Sequence, residues 1–324
     1  MAENHRRLWI LPVAVAALVA AAIPRPAAAA TALSVGEANA IADNIMPLAL
    51  GDDLGIFKKH GLDLKLVELG GGSKLAQAMA AGSIDIGLGS GTEMALMAKG
   101  APSRAVCETS GPVSFFGIGV PWDSPIKSLE DLKGKTIGVS SLGSLTNWLA
   151  DELARSEGWG EKGVTVVPLG GSAAAIVAAF RTHQLDAAMG TTTEFLAFER
   201  EKTGRLLASV SRYEGNAASG IIEASNRLIA SDPAAIRAFI AAWLETVAFI
   251  RAHKAETVTF EAALSHFDEQ VMADEYDLTI GMFTEDCRFD AQSLATLARS
   301  FVDLKLLDRA PDMSKLYTEE FLPK

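Results

Sequence analysis

Two stretches of this chain, about 100 residues apart, repeat one another in order. The first reads Val67-Glu-Leu-Gly70-Gly71-Gly72-Ser73, a helix-period segment, then Gly82-Ser-Ile-Asp85-Ile-Gly-Leu-Gly89-Ser90-Gly91-Thr92-Glu93. The second reads Val167-Pro-Leu-Gly170-Gly171-Ser172, a helix-period segment, then His183-Gln-Leu-Asp186-Ala-Ala-Met-Gly190-Thr191-Thr192-Thr193-Glu194. A repeat of this length places one supersecondary unit in each of two lobes. In both copies Gly and hydroxyl residues fall at the carboxyl end of a strand, where the next helix begins. Ligands of open α/β sheets bind there, because helix N-termini offer unpaired N–H groups and Gly admits close backbone approach. For any single residue, capping and turning the chain explain the same pattern.

Around the repeat, short apolar runs alternate with helix-period segments. Strands are expected at 33–36, 62–69, 84–88, 104–108, 115–120, 136–140, 164–168, 185–189 and 206–210. Helices are expected at 47–54, 73–81, 92–99, 144–156, 172–181 and 194–202, with a short one opening at 128–131. Such alternation implies an α/β fold of mostly parallel sheets flanked by helices. Past Ser225 the pattern turns to long helices. Asp232-Pro233 supplies an N-cap and N1 pair ahead of Ile236, Phe239, Ile240, Trp243, Leu244, Val247 and Ile250, which share one face.

Residues 1–30 hold Arg6-Arg7, an uncharged run over 8–23, and an Ala-rich end. That is the pattern of a secretory signal peptide. Its removal after Ala30 takes away three Arg and one Glu, leaving 26 basic and 39 acidic residues and a charge of −13, against −11 for the full 324-residue chain. Nucleic acid and anionic membrane surfaces select clustered Lys and Arg, so neither is expected as a partner. No later stretch reads as a membrane span. The two cysteines, Cys107 and Cys287, could pair in an oxidising compartment or pack as separate buried thiols. Sequence leaves both open.

Enzymatic motifs fare badly. Gly134-Lys135-Thr136 imitates the end of a phosphate-binding loop, but Leu129 stands where that loop needs Gly and a strand follows. No Gly-x-Ser-x-Gly elbow occurs. His60, His183, His253 and His266 lack partners at metal-ligand spacing. Glu93 and Glu194 occupy equivalent places in the repeat, which first-turn helix preference explains without catalysis. No catalytic residue, metal or cofactor is expected.

Four motifs, Gly55-Ile-Phe57-Lys-Lys-His-Gly61-Leu-Asp-Leu, Gly82-Ser-Ile-Asp-Ile-Gly87, Leu129-Glu-Asp-Leu-Lys-Gly-Lys-Thr-Ile-Gly138 and Gly143-Ser144-Leu-Thr, resemble the periplasmic solute-binding proteins of ABC importers for nitrate, sulfonates and taurine. The resemblance runs over roughly 33–250. It implies a two-lobed flytrap of the type II arrangement, with a hinge of crossing strands and the ligand between the lobes. The division it suggests is 1–30 signal peptide, 31–113 first lobe, 114–224 second lobe, and 225–324 returning to the first. Carried over position by position, ligand contacts fall on Asn44, Ile45, Gly71, Gly72, Ser73, Ser90, Gly91 and Thr92 of one lobe. On the other they fall on Ser141, Gly143, Ser144, Thr146, Gly190, Thr191, Thr192 and Thr193. Ser144 doubles as an N-cap, Lys74 is placed to contribute, and Trp148 either walls the site or packs on its own sheet, as does Phe195. Thr192-Thr193 stand where many relatives have Pro.

The expected function is capture of a small organic anion and its delivery to a membrane permease by a monomer in the periplasm. A pyrimidine or thiamine-precursor ligand is the nearest alternative. An enzyme of the same fold and a sensor presenting its closed form to a receptor are further ones. The related pyrimidine-forming enzymes use a Cys-rich motif and a His that this chain lacks.

Overall fold

A computed structural model describes residues 30–38, 45–111, 115–160, 162–213 and 218–324. The signal-peptide pattern, Ala30 apart, lies outside the described residues, as does Asn44. The first half runs β1 (Thr31–Glu37), α1 (Met46–Asp53), α2 (Ile56–Lys59), β2 (Leu62–Glu68), α3 (Gly72–Ala80), β3 (Ile86–Gly89), α4 (Met94–Ala98) and β4 (Ser103–Ser110). It continues with β5 (Phe116–Pro121), β6 (Thr136–Val139), α5 (Leu145–Ser156), β7 (Thr165–Pro168), α6 (Ala173–Arg181), β8 (Ala187–Thr191), α7 (Thr192–Glu201) and β9 (Gly204–Ser209). The remainder is β10 (Gly220–Ser225), α8 (Asn226–Ser231), α9 (Pro233–Ala252), α10 (Lys254–Ser265), α11 (Glu269–Thr279) and α12 (Ala291–Asp303).

The helix starts follow their sequence signals. Ser144 Oγ accepts the Asn147 N–H at the head of α5, and Ser172 Oγ accepts the Ala175 N–H at the head of α6. Thr191 and Glu194 form a reciprocal capping box on α7. Asp232 caps α9, with Pro233 in its first turn.

The strands make two sheets of the same plan, ordered β2-β1-β3-β10-β4 and β7-β6-β8-β5-β9. In each, the first three strands are parallel and the fourth is antiparallel to both neighbours. The intruding strand comes from across the molecule. β5 follows β4 into the second sheet, and β10 follows β9 back into the first. The stretch 114–224 therefore does not stay whole in the second lobe. Ile221 and Ile222 are buried in the first lobe's core, and β10 fills the slot between β3 and β4. Two crossings join the lobes, and residues 112–114 and 214–217 within them lie outside the described residues.

The C-terminal helices dress the first lobe and reach beyond it. Contrary to the sequence expectation, α9 is long and apolar enough to cross a membrane by length and composition. Half of its apolar window is buried, with Ile236, Phe239, Ile240 and Trp243 fully enclosed against α1, α2 and β2. α12 packs Leu297 and Phe301 on α4 and β10. Cys107 of β4 and Cys287, just ahead of α12, are joined in a disulfide. α10 and α11 pack on each other and lie between the lobes, sharing a core with Met46 and Leu50 of α1 and Ala197 of α7.

Candidate functional site

The carboxyl ends of β1, β3, β6 and β8 converge on one cavity of about 560 Å³. Ala38, Ser90, Ser140 and Gly190 mark the four strand ends in its wall. Of the residues expected from sequence, Ile45, Ser90, Thr146, Gly190, Thr191 and Thr193 line it. Thr193 is buried, and its Oγ1 has no hydrogen-bond partner among the described residues.

A second group of expected residues is brought together differently: it closes one lobe on the other. Ser73 Oγ donates to the Leu142 carbonyl across the cleft. Gly71, at φ 134°, lies so close to Ser141 that a Cβ there would stand 2.6 Å from Ser141 Oγ. Gly70 meets the Gly170 carbonyl, and Gly143 faces Ser73. Gly71, Ser73, Ser141 and Gly143 thus form an interlobe seam beside the cavity. Gly71 and Gly143 admit side chains across the seam, a reading the repeat alone could not separate from ligand approach. Lys74 is exposed and does not line the cavity.

Gly72, Gly91, Thr92, Ser144 and Thr192 do not line the cavity. Ser144 Oγ donates to the Ser141 carbonyl at 2.7 Å and sits within hydrogen-bonding distance of Ser140 Oγ and Thr146 Oγ1. With the N-cap bond, its capacity is spent within its own lobe. Thr192 Oγ1 donates to the Phe115 carbonyl. Gly91 is pressed against Leu297 at φ 96°, and Gly72 makes room for the Glu93 carboxylate.

Trp148 does not wall the site. It is fully buried, its Nε1–H donates to Asp303 Oδ2 at 3.1 Å, and the Arg299 guanidinium lies 5.2 Å from its ring centroid. Arg155 Nη2 reaches the same Asp303 oxygen at 3.2 Å. This ties α5 of the second lobe to the end of α12. Phe195 packs on its own sheet, over Gly119 and Gly190 and against Phe198. The aromatic wall is instead Phe116, Phe198 and Phe267.

The part sequence reasoning missed is the cover. The α10–α11 turn contributes Glu261, Leu264, His266, Phe267, Met272 and Glu275 to the cavity. Ion pairing of Arg200 on α7 with Asp268 at 3.1 Å holds that turn to the second lobe. Glu261 and Glu275 share buried helix faces with Thr257, Val258, Val271, Met272, Tyr276 and Thr279, a mixed pattern that gives no local signal of a cavity.

Carboxylates dominate the electrostatics. Burial, and then the charge of Glu68, push Glu37 up to about 7; the two stand opposite one another in the β1–β2 register. Burial, then the Glu93 carboxylate, pushes Glu223 up to about 8, while the Ser103 hydroxyl opposes the shift. Glu93 is itself raised by burial, against the pull of its own N–H and those of Gly91 and Ser90. Among the described residues no group of His, Cys, Asp or Glu could hold a metal ion.

Two repeated α/β lobes closing on a cavity at their strand ends define a bilobal binding-protein fold. The alkanesulfonate-binding protein SsuA of Xanthomonas axonopodis pv. citri, solved with MOPS, shares it with TM-score 0.75 and 21% identity, over 90% of this chain and 99% of that one. The periplasmic nitrate-binding protein NrtA of Synechocystis PCC 6803 does so with TM-score 0.69 and 14% identity, over 90% and 87%. A Brucella abortus (strain 2308) protein named as a binding protein is 28% identical over 227 residues, 68% of each chain. The sequence model of the NMT1/THI5 like family matches residues 42–257. The chain belongs to that family.

Proposed function

We propose that this protein is the ligand-binding component of an ABC importer, working as a monomer in the periplasm, where it captures one small organic molecule between its lobes and presents it to a permease. The observation that carries this is the cavity at the four strand ends, roofed by the α10–α11 turn and flanked by the Gly71–Ser141 seam. A pocket lined by both lobes suits capture and release. Family membership and the binding proteins that share the fold support the same role. The sulfonate and nitrate ligands named for two of them make a small anion the reference ligand for any screen. The disulfide fits an oxidising compartment.

The test is native mass spectrometry of the freshly purified chain, followed by thermal-shift assays with metabolite fractions. One small molecule is expected to raise the melting temperature by several degrees and to be recovered unchanged. Chemical conversion of that molecule would replace the binding reading with an enzymatic one. Loss of signalling with uptake intact in a deletion strain would replace it with a sensory one.

A further inference from the structure

The binding reading, on which the following rests, leaves the charge of the ligand open. Two seats for an anion follow from the repeat: the chain segments after β3 and β8, where helices begin. The chain occupies both with its own carboxylates. Glu194 Oε2 accepts the Thr191 N–H at 2.9 Å, and Glu93, its counterpart, is buried beneath Gly72 and Gly89. The heads of α5 and α6 are capped by Ser144 and Ser172. An incoming anion thus finds the starts of α5, α6 and α7 already served by acceptors, and a buried carboxyl group beside the start of α4.

The cavity wall points the same way. Glu261 and Glu275 are buried in it, and Glu194 is half-buried in it. Glu68 and Glu201 are exposed parts of its lining. Its cationic side chains among the described residues are Arg181 and His266, both exposed. No buried Lys or Arg among the described residues lines it. Among the described residues the buried Thr193 Oγ1 has no partner, so a bound molecule that donates or accepts a hydrogen bond satisfies it. Carboxylates in the wall of a cavity disfavour a second anion and favour a cation. Ile45, Phe116, Leu169, Ile176, Phe198 and Met272 supply an apolar wall for the remainder of the ligand.

We propose that the cavity binds an organic cation, an amine carried on a mainly apolar body, with its head group held by the wall that Glu261, Glu275 and Thr193 form. The test uses matched probes on the full chain: 2-phenylethylamine, 2-phenylethanol and 2-phenylethanesulfonate, in thermal-shift and calorimetric titrations. Mass spectrometry of any co-purified molecule accompanies them. The amine is expected to bind at least tenfold more tightly than the sulfonate, about 1.4 kcal/mol. Glu275→Gln and Glu261→Gln are expected to weaken the amine about tenfold and leave the alcohol unchanged, which also shows that the variants fold. A co-purified amine supports the proposal equally. Tighter or equal binding of the sulfonate, unchanged amine binding in both variants, or a co-purified acid overturns the cation assignment and leaves the transport reading standing. If no probe binds and no molecule is captured from a metabolite extract, both readings fall.

Discussion

At Gly71 a single missing methyl group lets two lobes meet. An Ala there must hold φ near 134°, which costs about 1–3 kcal/mol in a non-Gly residue, and drive its Cβ to within 2.6 Å of Ser141 Oγ. Gly71→Ala is expected to weaken ligand binding at least tenfold, mainly through faster dissociation, measured by stopped-flow and calorimetry. Gly71→Ala with Ser141→Gly should recover the part due to collision and leave the part due to φ; no recovery would refute the seam. Buried carboxyls set a second residue-scale expectation. Glu223 shifts from an ordinary 4.5 to about 8, and Glu37 and Glu108 to about 7. Each binds more protons folded than unfolded across that window, so its contribution is full below pH 4.5 and is lost as pH climbs toward 7 to 8. Stability should fall over this range by up to about 1.4 kcal/mol per pH unit per group. Glu223→Gln should flatten the fall and raise stability at pH 8, read by urea unfolding at pH 5 and 8. An unchanged slope would show that Glu223 has the same pKa folded and unfolded.

Elements were legible in the sequence where their signals are local. The units β1 to β3 and β6 to β8, with α3, α5, α6 and α7, stand within two or three residues of the apolar runs and caps that announce them. β10 was missed because Gly220-Ile-Ile-Glu223-Ala-Ser225 shows neither clean alternation nor a long apolar run. Its place depends on pairing with β3 and β4, more than 100 residues upstream. α10 and α11 were missed as site elements since nothing local says that a turn near His266 will cover a cavity. Trp148 could be read either way until Asp303 was found 155 residues later in the chain. The disulfide has the same character, joining β4 to the lead-in of α12 across 180 residues. A loop of that length gives a large chain-entropy effect, and losing the bond should cost about 2–5 kcal/mol. Cys287→Ser, or reduction, is expected to lower the melting temperature and increase hydrogen exchange in α12 before β6 to β8. Uniform exchange across both lobes would argue against a local anchor.

Among the described residues the lobes meet at the Gly71–Ser141 seam, at the α7–α11 contact with Arg200 and Asp268, and at the α5–α12 contact around Trp148. These contacts form when the lobes meet, so they contribute to closure. A ligand that bridges the cavity adds to them, and the affinity measured in solution is the ligand's own contacts plus this closure term. Weakening a latch therefore lowers affinity without touching the cavity. Trp148→Phe removes one N–H donor to a carboxylate, and Asp303→Ala removes the acceptor shared with Arg155. A hydrogen bond to a charged group contributes about 1.5–3 kcal/mol, so each variant should raise Kd between roughly tenfold and a hundredfold. Small-angle scattering should show a larger radius of gyration for each variant at subsaturating ligand, converging on the wild-type value at saturation. Because the two residues act through one bond, the double variant should cost little more than Asp303→Ala alone. Additive losses, or a radius unchanged at every ligand concentration, would mean that the α5–α12 contact serves folding of the second lobe and not closure.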